Sequence, residues 1–470
     1  MITYQDFLQV GENDVERAAF VRKLITEHMQ SGQYKTAKIA EDYYNCRNTT
    51  AMQYQRTITT VTGKVVPDTL KATHRSTSNF FHIFTVQIAN YILGNGCDWK
   101  NKDTPARLGL DFDTRLKDCE TKAIIGGVAY GFWNLDHLEV FRATEFAPLV
   151  DEENGALAAG ARFWQLAPGK PLRATLYERE GYTDYLFKSD MRTEPDSRMW
   201  TRIDDGIYMQ PRRPYVLHVV TSVADGERIL DGENYPDLPI VPLWANTMHQ
   251  SELVGQREKI DAYDFILNGW ENDLDNAQIY WILKGAGGMD DIDLQRFLDR
   301  LNVVGAAAPE DGQEVSPVTV DIPYDAREKL LDRLERQLYK DAMLLNPADI
   351  AGGATTATQI MAAYEPQNVK ADDMIYCILD FVAGITRLAG VDDVPTFSPS
   401  MVNNTGEEIQ NIVLAAPYLS REYVTRKILS LLGDKDAAED VLRALDADDA
   451  ERLDFEAEGE GVSGNGDGNA

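Results

Sequence analysis

Cysteine is scarce in this chain of 470 residues, and Cys46, Cys97, Cys119 and Cys377 are scattered, with no Cys-x-x-Cys pair and no histidine at ligand spacing. That excludes a zinc ribbon and reads as ordinary reduced thiols. Histidine is scarce too, six in all, with no His-Glu-x-x-His run, and Gly-x-Ser-x-Gly is also absent. Metalloprotease and hydrolase chemistry therefore lack their usual signatures. No Gly-rich loop runs into Gly-Lys-Ser/Thr, because Gly63-Lys64 precedes Val65 and Gly169-Lys170 precedes Pro171. Gly459-x-Gly461-x-x-Gly464 matches a dinucleotide fingerprint as a string, but no strand precedes it and no helix follows. Asp136-His137 reads as a surface pair, and the acids Asp111, Asp113 and Glu120 have no partnered base. The expectation is a protein that is not an enzyme and holds no cofactor or metal.

Cations are also in deficit: 46 Lys and Arg stand against 76 Asp and Glu, a formal net charge of -30. Gripping a nucleic acid needs clustered cations that release counterions, so this surface repels a duplex overall. Long apolar runs are missing as well. Phe80–Leu93, the most apolar stretch, is too short to span a bilayer and contains Gln87 and Asn90. It reads as a buried helix capped by Ser76-Thr77-Ser78 and closed by Gly94, and no membrane partner is expected. The N-terminus lacks the basic-then-apolar pattern of a signal peptide, so the acceptor strings at Asn48 and Asn403 carry no weight and the expected site of synthesis is cytoplasm.

What is present is enough apolar sequence for two to four domains of an α+β protein. Helical spacing covers about 12–44, with a small hairpin or loop from Thr57 to Val66. From Gly127 to Val220, alternating runs such as Val140-Phe141-Arg142, Arg162-Phe163-Trp164-Gln165 and Thr183 to Phe187, with turns at Asn154-Gly155 and Asp205-Gly206, predict antiparallel strands. Ser251 to about Leu283 predicts one helix about 50 Å long, capped by Ser251 and ended by Gly285 to Gly288. A helix at about 292–301 and strands at Val303-Val304 and Val315 to Ile322 follow. A second long helix, Asp325 to Leu345, carries Leu330, Leu334 and Leu338 on one stripe. Asn346 to Thr356 reads as a loop, and helical spacing resumes from Thr358 to about Leu388, with a kink or break expected at Pro366 and a stop at Gly390. A last helical region spans Ser420 to about Leu453, and 456–470 is too polar to order itself.

The richest stretch is Leu238-Pro239-Ile240-Val241-Pro242-Leu243-Trp244-Ala245-Asn246 leading into the helix with Ile260-Asp261-Ala262-Tyr263-Asp264 and Glu271-Asn272-Asp273-Leu274-Asp275-Asn276. Ile260, Tyr263, Leu267, Trp270, Leu274 and Trp281 recur at heptad spacing as a packing seam. Glu258, Asp261, Asp264, Glu271 and Asp275 put more negative charge on the other faces than packing requires. They suit either the solvated face of a bundle or a wall that repels what passes it.

These residues resemble phage portal proteins of the large family that includes those of long-tailed phages infecting Gram-positive bacteria. A Pro-Ile-rich strand ending in Asn, an Ile-Asp-Ala-Tyr helix core and a later Asn-Asp doublet are markers of that family. Weaker similarity begins at Ile25-Thr26-Glu27-His28 and continues through Glu41-Asp42-Tyr43-Tyr44, Asn79 to Gly94 and Gly126 to Tyr130. Asn45-Cys46 departs from the Gly that usually follows the Tyr pair.

The resemblance implies a wing at 1–250, a first stem helix at 251–284, a clip at 285–324, a second stem helix at 325–345 and a tunnel loop at 346–357. It further implies a kinked wing helix and return segment at 358–415, a helical crown at 416–455 and a disordered tail at 456–470. By the same resemblance, Asn346, Pro347, Asp349, Ile350, Gly352, Gly353, Thr355 and Thr356 face DNA, the acids line the channel or the stem surface, and the seam from Ile260 to Trp281 packs against a neighbouring subunit. Arg336 and Lys340 are candidates for a basic ring near the loop or for salt bridges to a neighbouring stem. The implied function is a ring, commonly of twelve copies, at one capsid vertex, through which double-stranded DNA is packaged and ejected. The implied partners are terminase large subunit, head-tail connector, major capsid protein and scaffolding protein, with the portal vertex of the virion as final location and host cytoplasm during assembly. The alternative is a virion structural or scaffolding protein that forms no ring.

Overall fold

The computed structural model describes residues 2–59, 63–68, 73–188, 195–197, 199–220, 229–275, 279–284, 290, 292–293, 296–297, 300, 314–319, 324–350, 357–399, 405–434, 437–445 and 447. The chain is α+β, as expected, and divides into two units, 1–349 with 364–400 and 350–363 with 401–470. The first unit opens with α1 (Tyr4–Val10), α2 (Asp14–Gln30), α3 (Gly32–Tyr44) and α4 (Thr49–Gln53). Thr3, Asn13 and Ser31 cap the first three, their side chains accepting from otherwise orphaned backbone N–H groups. The expected hairpin is the antiparallel pair β1 (Thr57–Thr59) and β2 (Val65–Pro67).

Three more helices follow: α5 (Phe80–Leu93), α6 (Thr104–Leu108) and α7 (Phe112–Gly126). α5 is buried along most of its length, but its expected Ser-Thr-Ser cap is wrong, since Asn79 holds the cap position and no side chain closes it. α7 ends at Gly127, whose φ of +83° and 2.9 Å distance from a built Cβ to the Ser251 nitrogen exclude a side chain.

The strands run β3 (Val128–Asn134), β4 (His137–Arg142), β5 (Phe146–Val150), β6 (Leu157–Trp164), β7 (Leu172–Glu178), β8 (Gly181–Phe187), β9 (Thr201–Asp204), β10 (Ile207–Met209), β11 (Val216–Val220), β12 (Ile229–Glu233) and β13 (Ile240–Trp244). They form a six-stranded sheet ordered β5-β6-β7-β8-β10-β9, a three-stranded sheet ordered β13-β3-β4 and the pair β11-β12. The expected turns at Asn154-Gly155 and Asp205-Gly206 join β5 to β6 and β9 to β10. Ala18, Val21, Leu24 and Ile25 of α2 join Ala161, Leu176 and Tyr185 of the large sheet in one core.

Two open strand edges, β5 and β13, line one groove with Gly384 and Arg387. Trp133 N–H donates to the Pro239 carbonyl at 2.9 Å and Ala245 N–H to the Gly127 carbonyl at 3.1 Å, so Ile240, Pro242 and Trp244 direct their backbone groups outward. Phe163 N–H donates to the Glu145 carbonyl at 2.8 Å, which likewise points Pro148 outward. Each proline deletes the central N–H donor of its free edge and blunts it against strand addition.

The stretch after β13 departs from expectation. The helix is α8 (Arg257–Asp275), about 28 Å long rather than 50. Residues 252–256 are turns, and the Ser251 hydroxyl, which donates to the Ile125 carbonyl and accepts from Leu253 N–H at 3.2 Å, lies six residues before the helix and does not cap it. Ile279–Lys284 is strand β14, paired antiparallel with β15 (Glu314–Thr319), so Trp281 lies opposite Pro317 in a ladder and leaves the helical seam. The β-branched and aromatic content of Ile279-Tyr280-Trp281-Ile282 outweighed the heptad match. Of the expected insertion helix at about 292–301, Ile292, Asp293, Arg296, Phe297 and Arg300 are described and all are helical, whereas the strand at Val303-Val304 lies outside the described residues, as does 456–470.

Beyond these come α9 (Tyr324–Asp341), α10 (Pro347–Ile350) and α11 (Ala357–Leu388). α9 ends four residues short of expectation and buries Leu331 and Leu338, while Leu330 is exposed. The start of the expected loop is instead a helical turn, α10, where the Asn346 side chain accepts from Ala348 N–H at 3.0 Å and Pro347 needs no donor. α11 is continuous through Pro366, so the expected break is absent; it ends as expected before Gly390, which has a φ of +66°. In the second unit, α12 (Thr405–Ala415) and α13 (Arg421–Leu432) follow, the latter capped by Ser420.

Candidate functional site

The candidate site is built from α8, α9 and the base of the segment beyond them. On α8, Asp264, Asn268 and Asn272 recur every four residues and are buried on one face. An extended segment of the same chain lies along them. Ser78 N–H donates to the Asp264 carboxylate at 2.9 Å, Ser76 N–H to Asn268 Oδ1 at 2.6 Å and His74 N–H to Asn272 Oδ1 at 3.1 Å. Asn268 Nδ2 returns a bond to the Ser76 carbonyl at 2.8 Å. Two residues of extended chain advance about 6.6 Å and four residues of helix about 6 Å, so the repeats stay in step.

This strap accounts for much of the surplus acid. Asp264 is fully buried, contrary to its expected place on a channel wall or stem surface, and also accepts from Asn48 Nδ2 at 2.5 Å. Burial pushes its pKa up, opposed by the bonds from Asn48 and Ser78. Asp261 accepts from the Tyr43 hydroxyl and lies 3.8 Å from Arg257, and Glu271 accepts from the Ser76 hydroxyl at 2.7 Å. Glu258 alone of these is exposed, beside exposed Phe265 and Gly269, whose Cβ position is open space. The side chain of Asp275 lies outside the described residues.

The seam is used within the chain too. Ile260 is fully buried, Tyr263 packs edge-on against Phe80 with ring centres 5.0 Å apart, and Leu267 and Trp270 are half-buried. Phe84 meets Tyr339 of α9 at 5.0 Å, and Lys259 of α8 pairs with Asp341. The side chain of Leu274 is not described.

The base beyond α9 is pinned by amides. Leu345 N–H donates to Gln367 Oε1 at 3.1 Å, Gln87 Nε2 donates to the Leu345 carbonyl at 2.9 Å, and Lys370 Nζ donates to the Ala342 carbonyl at 2.9 Å. Asn346 is buried and Pro347 exposed. Asp349 and Ile350 belong to α10 with side chains not described, and Gly352, Gly353, Thr355 and Thr356 fall outside the described residues. Lys370 also pairs with Glu252 at 2.5 Å. Near Glu252, Glu120 of α7 is buried, and among the described residues neither of its oxygens has a hydrogen-bond partner. Burial, reinforced by Glu252, pushes its pKa well above the usual carboxylate range.

Arg336 and Lys340 do come together, and with company. Lys329, Arg333, Arg336, Gln337 and Lys340 line one exposed face of α9, opposite buried Leu331 and Leu338. Asp136 and His137 form the expected surface pair, 2.8 Å apart. Among the described residues no group of acids, histidines and cysteines is placed to hold a metal, and no helix is long and apolar enough to cross a membrane.

The model of the family described as "Phage portal protein, SPP1 Gp6-like" matches residues 23–452. The chain belongs to this family. The portal protein of Bacillus phage SPP1 is 22% identical over 445 residues, covering 86% of this chain and 81% of that protein. The portal protein of Clostridium phage phiCD119 is 24% identical over 196 residues, covering 39% of this chain and only 43% of that one. Among solved structures, a chain from the neck of an empty gene transfer agent particle gives a TM-score of 0.40 at 15% identity, covering 82% of this chain and 98% of that one. With family membership comes the portal role, a structural component of the phage head-to-tail connection. Sequence reasoning missed the strap. Its halves were visible as Ser76-Thr77-Ser78 and as the four-residue repeat of Asp264, Asn268 and Asn272, but nothing local joins segments about 190 residues apart.

Proposed function

We propose that this protein is one subunit of a homo-oligomeric ring, commonly of twelve copies in this family, at a single capsid vertex. Double-stranded DNA enters through the ring during packaging and leaves through it at infection. α8 and α9 are the stem, β14 carries the chain into the clip at 285–324, which contains β15, residues 1–250 with α11 are the wing, and 416–455 is the crown. The clip docks the terminase large subunit, whose ATPase supplies the energy, and later the head-tail connector, while the wing meets the major capsid protein. Asn346 to Thr356 reaches into the channel as the tunnel loop, and the finished ring resides in the virion after assembly in host cytoplasm. The protein itself performs no catalysis.

The observation that carries this reading is the family match over nearly the whole chain. Two features support it. The loop base is clamped from both sides by Gln87 and Gln367, which suits a segment that moves from a fixed root. The formal charge of -30 keeps a passing duplex from sticking. Deleting Pro347 to Gly353 is the test: rings should still form while DNA packaging or retention falls. Loss of rings on that deletion would make the loop structural and remove its assigned role.

A further inference from the structure

Two exposed helical faces of opposite charge lie on this chain, and neither finds an ion-pair partner among the described residues. On α9, Lys329, Arg333, Arg336 and Lys340 stand at successive turns on the solvent face, over about 16 Å. None has a carboxylate within ion-pair distance among the described residues; Arg336 Nε donates only to the Asp332 backbone carbonyl at 3.2 Å. On α11, Glu365, Asp372 and Asp380 are exposed on one face over about 22 Å, again without an ion-pair partner among the described residues. Val369 and Tyr376, 53% and 68% exposed, stand between these carboxylates. Large apolar side chains set among unpaired charges mark a surface made for contact.

We propose that these two faces meet between copies, the cationic face of α9 on one subunit seating against the acidic, Val369- and Tyr376-bearing face of α11 on the next. A contact between two different faces of one chain is head-to-tail, the kind that closes into a ring. The charge balance favours a second copy over DNA as the occupant. Copies that each carry a net charge of -30 repel one another, and at physiological salt, where screening acts within about 8 Å, only local complementary charge overcomes that. The acidic face supplies such complements, with apolar area to bury beside them. This deepens the ring reading and rests on it.

The test is charge reversal read by mass photometry of the full chain at physiological salt. R333E/R336E should lower the ring fraction at least tenfold, and D372K/D380K should do the same. Combining the four reversals should restore rings, which a general folding defect cannot do; circular dichroism of the dissociated variants checks folding separately. Rings that persist in R333E/R336E, or fail to return in the combined variant, overturn the proposal while leaving the ring reading intact. If R333E/R336E forms normal rings that package less DNA, the cationic face contacts DNA instead. A wild-type protein that forms no rings defeats the ring reading itself, and this contact with it.

Discussion

At the scale of single residues, burial separates carboxylates that looked alike in the sequence. Asp264 and Glu258 sit six positions apart on one helix, yet Asp264 is sealed against Asn48 and Ser78 while Glu258 is in solvent. Replacing Asp264 with Ala leaves the Ser78 N–H without its acceptor and takes one of two acceptors from the Asn48 amide, which still donates to the Ser78 carbonyl at 2.9 Å, at a cost of about 1–3 kcal/mol. Glu258→Ala should change stability by no more than about 0.5 kcal/mol, as at other exposed positions. Chemical denaturation of both variants checks the contrast. Glu120 makes a second prediction. Because its folded pKa is raised, the native state keeps a proton that the unfolded chain releases, so its contribution is full below the ordinary carboxylate range and is lost as pH rises through the raised value. Glu120→Gln should therefore raise the melting temperature by a few degrees at about pH 8–9 and flatten its fall with pH. An unchanged pH profile would mean that Glu120 is already ionised in the native state.

At the scale of elements, the sheets and most helices were legible because their signals are local. Alternation and Asn-Gly or Asp-Gly turns placed β4, β6 and β8, and the Ser420 and Gly390 boundaries held. α8 was drawn too long because a heptad match can run across a strand when the residues are large and apolar, and Ile279-Tyr280-Trp281-Ile282 are. The stripe on α9 was misplaced by one residue, from Leu331 to Leu330, since leucines at both positions fit a helical period equally well. The strap was illegible for a different reason: its bonds run mostly from backbone N–H groups of residues 74–78 to side chains about 190 residues away, and nothing local joins the two halves. The amide clamp at the loop base has the same character. Gln367→Leu strips the acceptor from Leu345 N–H and should cost about 1–3 kcal/mol. Faster hydrogen exchange, confined to residues around 342–346, is the measurement; no change there would mean that Gln87 and Lys370 hold the base without it.

At the scale of the whole molecule, the chain carries more negative charge than its fold consumes, and its structure turns charged helical faces outward. α8 spends one face on the strap and another on Phe80 and α9, which leaves Glu258 exposed and Phe265, edge-on to Tyr54, 58% exposed. α9 and α11 each turn a charged face outward. The proposed ring would cover these faces, where a monomer would leave them in solvent. The most direct measurement is the mass of the purified full chain at low micromolar concentration and physiological salt. The account predicts annular particles near twelve times the 52.7 kDa of one chain, whereas a stable 52.7 kDa monomer under those conditions would contradict it.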